Sequence, residues 1–386
     1  MMVWLWWRRL RVMLLMMGEV LSFTKVSEAL PGNSYWQLLA FNQSHVPWIG
    51  LSLHDMIQPS FTFLVGVVLP FSLAGRIKNG ATKAAIIQHS LKRSLVLICI
   101  GIFLRSAYSG QTYFTFEDTL TQIGMGYTFL VLLGFCTKRV QLAALILLLA
   151  GYWLAFALYP LPGQGFDYNA AGVTANWPHN LQGFAAHWNK NTNLAWAFDR
   201  WFLNLFPTEH IFQFNEGGYA TLSFIPTLGT MLLGLMAGNV LHADKTATKK
   251  WQYFLKAGAV LLAIGLVLQI AGINPIVKRI WTPAWTIFSG GICFLFLTLF
   301  YFVVDVKGYK RWSFFLMVIG ANSIAAYCIA DGGVLSYIKK SLYIHLGKQY
   351  DQLFGAPYAS LVSGGLSLLF VSVSYTHLTL PTNREV

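Results

Sequence analysis

Ten stretches of about 20 mainly apolar residues succeed one another along the chain, near 10–30, 56–75, 92–109, 119–136, 140–160, 219–241, 254–273, 282–304, 312–331 and 356–374. A hydrocarbon core about 30 Å thick is spanned by about 20 apolar residues in a helix, so stretches of this length and number restrict the chain to a bundle of transmembrane helices. The first is the weakest, because Glu19, Lys25 and Glu28 interrupt it. Composition agrees: only 11% of the 386 residues are charged, against about 25% in soluble domains, and the mean hydropathy is +0.55. The expected fold is all-α, a polytopic transmembrane bundle of about ten spans, with 1–373 acting as a single transmembrane domain.

The net charge of +13 does not point to nucleic acid, because the basic residues lie in small clusters between apolar runs rather than on one face. They read as topology signals. With a cytoplasmic N-terminus, the inner segments collect Arg8, Arg9 and Arg11, then Arg76, Lys78, Lys83, Lys92 and Arg93, and later Lys138, Arg139, Lys245, Lys249, Lys250, Lys307, Lys310 and Arg311. The segment from Leu161 to Gly218 holds only Lys190 and Arg200 and falls outside. Its tryptophans and phenylalanines alternate with His179, His187, His210 and several asparagines. This suits an aromatic interfacial belt or a cap that binds carbohydrate through C–H faces and hydroxyls. The four cysteines lie within or at the end of apolar runs without CxxC spacing, so neither a disulfide framework nor a zinc site is expected.

Between the first two runs lies SHVPWIGLSLHDMIQPSF, Ser44 to Phe61, inside a window, 26–75, that holds no Lys or Arg. His45, His54 and Asp55 are titratable groups at a membrane boundary, where such groups are costly unless used. Phosphate loops, nucleophile elbows, H-E-x-x-H and dinucleotide glycine fingerprints are missing from the chain. What remains is a set of polar residues within apolar helices: Glu19, His45, His54, Asp55, Gln122, Asn322 and Asp331. From spacing alone, His45 is equally readable as a hydrogen-bonded structural residue, Asp55 as a helix cap, and Gln122 and Asn322 as helix–helix glue. His54 is read as structural.

The blocks HVPWIGLSLHDMIQPSFTFLVGV, KRSLVLICIGIFL, TQIGMGY, FDRWF, NEGGYATLSFIPTLGTMLLGLMAGNVL, INPIVKRIWTPAW, VVDVKG and GANSIAAY occur in order over nearly the whole chain. Together they resemble the heparan-alpha-glucosaminide N-acetyltransferase family, in particular its bacterial branch. The chain departs from that family in a longer segment before His45 and in Glu19, which stands where many relatives have an asparagine.

The resemblance implies acetyl transfer from acetyl-CoA, a co-substrate, to the amine of a glucosamine-type sugar or glycan across a membrane, with no metal. It makes His45 the catalytic residue, as general base or acetyl carrier, and Asp55 the candidate that holds its tautomer. Arg93, Gln122 and Asn322 become candidate contacts to the CoA donor, and Trp48, Asp199 and Glu216 candidate contacts to the acceptor. Membrane lipid is an expected partner, a homodimer is compatible, and a bacterial inner membrane is the implied location. Because the donor is cytoplasmic and His45 is read as outer, a polar tunnel from Arg93's side to His45 is expected. The rival class is a transporter of a small amphipathic solute or lipid-linked sugar. At the other end, 374–386 reads as a non-native tail that includes His377, after a last helix cut short.

Overall fold

A computed structural model describes residues 16, 18–107, 109–309, 327–329, 332–347 and 349–379, with side chains described as far as Ser372. The expected positions Asn322 and Asp331, the basic residues Arg8, Arg9, Arg11, Lys310 and Arg311, and most of the run 312–331 lie outside these residues, as do His377's side chain and the end of the tail. The fold is helical at 69%, and among the described residues there is no strand. The order is a 3-10 turn Gly18–Leu21, α1 Phe23–Ala29, α2 Ser34–Asn42, a 3-10 turn His54–Met56, α3 Ile57–Lys78, α4 Lys83–Ser106, α5 Thr119–Gly134, α6 Lys138–Leu158, α7 Leu194–Phe202, α8 Phe224–His242, α9 Ala247–Ile270, α10 Pro283–Phe300 with a π-helical end Tyr301–Val306, α11 Val334–Leu346 and α12 Ala359–Thr379.

Six helices, counting adjoining turns, are long and apolar enough to cross a membrane: His54–Lys78, Lys83–Ser106, Lys138–Leu158, Thr221–His242, Ala247–Ile270 and Pro283–Val306. Thr119–Gly134 and Ala356–Ser372 are shorter apolar helices. Eight of the ten expected stretches therefore coincide with apolar helices. The first is corrected in its described part: 18–30 is not one span, because Ser22 takes a left-handed φ of 50° between the 3-10 turn and seven-residue α1. That conformation interrupts a helix, and the three charged residues there give no apolar face to restore it.

Local sequence sets the helix starts. Thr82, Asp118, Thr137, Asn193 and Thr246 each accept a backbone N–H of the first turn with the side-chain oxygen, which satisfies donors that an apolar setting would otherwise leave unpaired.

The described residues form two compact units. One comprises Met1–Val46, Leu51–Gln58 and Phe300–Val386, the other Pro47–Gly50 and Pro59–Leu299. Within the larger unit α8 is the most enclosed of the long helices. It meets α3 backbone to backbone: a β-carbon on Gly66 would overlap the Met231 carbonyl, and one on Gly234 or Gly238 would overlap the carbonyls of Phe63 or Val67. Small residues let helices approach this closely in a membrane, where packing rather than water exclusion drives association. In the smaller unit, Gly364 of α12 rests in the same way on the Val20 carbonyl of the first turn.

The loop 161–218 is folded in the larger unit. Trp48, Tyr152, Phe156, Trp188, Ala195, Ala220, Val277 and Ile280 form one buried cluster at its base, with Trp177 and Leu222 packed against it. Gly50 belongs to this anchor. Its φ of +118° is open to glycine and costly for other residues, its N–H donates to Ile276 O at 3.2 Å, and Ile49 pairs with Val277 in an isolated antiparallel bridge.

Candidate active site

The centre of the smaller unit is built on four residues of sequence, Ser52 to Asp55. Ser52 Oγ accepts from Asp55 N at 3.3 Å and Asp55 Oδ2 accepts from Ser52 N at 3.1 Å, a reciprocal box at the entrance to the 3-10 turn and α3. The Ser52 hydroxyl also donates to Ser44 O at 2.6 Å and lies 3.0 Å from Asp55 Oδ2. Val46 N adds a further bond to Oδ2 at 3.2 Å. With Oδ2 fixed by backbone, Oδ1 lies 2.7 Å from His45 Nδ1. Asp55 is 1% exposed and His45 35%, so a buried anchor carries a reachable imidazole.

One carboxylate thus fixes the backbone of the turn through Oδ2 and holds the His45 ring at Nδ1 through Oδ1. The same carboxylate–imidazole arrangement prepares a base in hydrolytic triads.

A second pair lies alongside. His54 is buried, and its Nε2 is 2.8 Å from Glu19 Oε1 of the first turn, while the rings of His45 and His54 are 4.4 Å apart between centroids at an interplanar angle of 57°. Nothing in the spacing of the sequence joins His54 to a residue 35 positions earlier. The available signal was the S-x-x-D box at 52–55, which points the two consecutive side chains, 54 and 55, from one fixed turn.

The remaining candidates belong to the larger unit. Trp48 is fully enclosed, donates Nε1–H to Trp188 O at 3.0 Å and meets Trp177 edge-on. With no exposed surface it is a packing element at the base of the cap, not a face open to a sugar. Asp199 is also enclosed: Oδ2 accepts from Thr221 N at 3.0 Å, and Oδ1 is buried with no hydrogen-bond partner among the described residues. Burial and the nearby Glu117 carboxylate push its pKa up, to about 7, against the relief that Thr221 gives. Glu117, which accepts from Asn215 Nδ2 at 2.6 Å, is likewise raised by burial.

Gln122 holds the same segment from the other side. It donates from Nε2 to Phe116 O at 2.7 Å and Thr221 O at 3.2 Å, and its Oε1 is buried without a partner among the described residues. These bonds make it a tie between α5 and the start of α8. Arg93 is exposed and lies over the Tyr127 ring at 4.9 Å. Glu216 is exposed beside two cations the sequence reading did not single out. Lys190 lies over Trp177 at 5.3 Å and Arg279 over Tyr219 at 5.0 Å, and burial followed by the Arg279 charge lowers the Lys190 pKa, with Glu216 opposing. Tyr159 and, from the loop 161–218, Phe166, Trp196, Arg200, Trp201 and Gln213 line part of an open cleft of about 650 Å³.

No protein-family profile matches the chain. Heparan-alpha-glucosaminide N-acetyltransferase of Homo sapiens is 25% identical to it over 338 residues, covering 77% of this chain, and that of Mus musculus is 25% identical over 336 residues. Motifs and alignment agree on the family resemblance. The chain spans about half the length, 49%, of these curated relatives. Long apolar helices and this resemblance make it an integral, multi-pass membrane protein.

Proposed function

We propose that the chain is a membrane-embedded acetyltransferase that moves an acetyl group from cytoplasmic acetyl-CoA to the amine of a glucosamine-type sugar or glycan on the outer side of the membrane, with 1–373 acting as one domain. The observation that carries this reading is the His45 Nδ1 to Asp55 Oδ1 contact of 2.7 Å, in the segment where the family's motif is densest. As the amine attacks the thioester carbonyl and the amide forms, its nitrogen loses a proton. His45, partly exposed and oriented by Asp55, takes that proton through Nε2 and returns it to the departing sulfur. An acetyl-imidazole at the same nitrogen is the two-step form of the same chemistry.

The exposed cations at the end of α3 and in the first half of α4 suit the phosphates of CoA. Arg93 is stacked on Tyr127, and Arg76 Nη2 lies 3.3 Å from His89 Nε2. We assign the donor to this face and the N-terminus to the cytoplasm. The loop 161–218 serves as the acceptor-side cap, with Glu216 at its surface as an acceptor contact and Trp48 and Asp199 shaping it from within. Asn322 is retained as a donor contact on the family motif alone. The bacterial inner membrane follows from the branch the motifs resemble.

The test is CoA release by the purified protein given acetyl-CoA and glucosamine. Removing a general base costs roughly 10²–10⁴ in rate, and His45→Ala is expected to fall in that range. Uptake of solute without acetyl transfer would overturn the enzyme reading in favour of a transporter, and full activity in the variant would overturn the role of His45.

A further inference from the structure

Acetylating an amino sugar at neutral pH releases more protons than one imidazole can hold. An amine of ordinary pKa near 8 arrives largely as the ammonium. The C–N bond forms, the C–S bond breaks, and two nitrogen protons must leave: one ends on the thiolate of CoA and the other has no place in the products. His45 can carry the first of these from nitrogen to sulfur and return to its starting state. It can do so only if the proton lost before attack has already moved elsewhere.

A second imidazole lies beside His45 in the smaller unit. His54 stands beside His45 with ring centroids 4.4 Å apart. It is 8% exposed, and its Nε2 is 2.8 Å from Glu19, whose side chain is 53% exposed. A buried ring beside the base, paired with a carboxylate open to solvent, is the order that a proton outlet requires. The charged and titratable groups around His54 include Glu19 from the 3-10 turn, its neighbours His45 and Asp55, and Lys339 of α11, which donates from Nζ to Val20 O of the same turn at 3.1 Å. The stretch of α12 packed on that turn, 359–372, holds no titratable side chain.

We propose that His54, braced by Glu19, is a positioning partner of His45 that receives the proton of the acceptor ammonium and passes it to solvent at Glu19. The proton goes from the ammonium nitrogen to His45, from His45 to His54, and from His54 through the carboxylate to water. His45 is then neutral when the amine attacks. This role rests on the acetyltransferase reading above.

Two measurements on the full-length protein in detergent test it. Acetyl transfer to glucosamine by Glu19→Gln and His54→Phe is expected to fall about tenfold in kcat near pH 6.5, with KM little changed, and to recover near pH 9, where the amine arrives neutral. A loss equal at all pH values, or no loss, overturns the outlet. Independently of turnover, carbethoxylation at neutral pH followed by mass spectrometry reads how firmly Glu19 holds the His54 ring. Glu19→Gln is expected to speed modification of His54 threefold or more, because the bond that holds Nε2 is weakened. An unchanged rate overturns the pairing itself, whereas a wild-type protein that transfers no acetyl group overturns the acetyltransferase reading and the outlet with it.

Discussion

Asp55 divides its two oxygens between two tasks, and the division makes a testable separation between structure and chemistry. Oδ2 is held by Val46 N and Ser52 N, and Oδ1 by His45. Asp55→Asn keeps the size but replaces one acceptor oxygen with a donor, so it cannot satisfy both sets. It is expected to lose acetyl transfer by roughly 10² or more while still inserting into the membrane. Ser52→Ala removes the hydroxyl's half of the box and its bond to Ser44 O but leaves Ser52 N on Oδ2, with an expected cost of about 1 kcal/mol in stability and a loss of activity well below that of Asp55→Asn. Steady-state rates beside thermal midpoints for the two variants check the ordering, and equal activity losses would mean that Asp55 acts through the turn alone.

At this scale the sequence was legible where chemistry and local spacing coincide. His45 and Asp55 are ten positions apart with a turn between them, and the motif names them both. Glu19 and His54 are joined only by tertiary folding, and Trp48 presented an aromatic ring to the reader without revealing that the ring is fully enclosed.

Among the elements, α3 and α8 meet through glycines whose missing β-carbons are the condition of their contact. Gly234→Ala puts a methyl group into the Phe63 carbonyl, and overpacking of this kind costs about 1–3 kcal/mol or more. A β-carbon added to Gly151, in α6, would meet nothing within 4 Å. Gly151→Ala is expected to be neutral or slightly stabilising, because a mid-helix alanine is worth roughly 0.5–1 kcal/mol over glycine. Detergent melts of the two variants provide the comparison, and equal midpoints would refute the backbone contact.

Helix positions themselves were readable, since a run of apolar residues and a capping threonine or asparagine are local facts. The break at Ser22 was not, because a left-handed residue inside a mixed stretch leaves no periodic trace.

For the whole molecule, the enclosed carboxyl of Asp199 links stability to pH. Its folded pKa, about 7, lies above the ordinary 3.8, so the folded state binds the proton more tightly than the unfolded state. The contribution is complete below about pH 4 and is lost as pH rises to 7; Glu117 is shifted in the same direction. The thermal midpoint is therefore expected to fall by several degrees between pH 5 and pH 8, and Asp199→Asn to flatten much of that slope. A midpoint that rises over this range in the wild type would contradict the burial of the ionisable groups. Membrane class was legible from hydropathy, whereas the interior positions of Asp199 and Gln122 depend on how the loop 161–218 folds onto the starts of α5 and α8.

The glycine contact of α3 with α8 has a mechanical consequence. Where two backbones touch there are no rotamers to exchange and no void to compress, so the pair behaves as a stiff spar. Any rearrangement of the bundle therefore carries α3 and α8 together as one body.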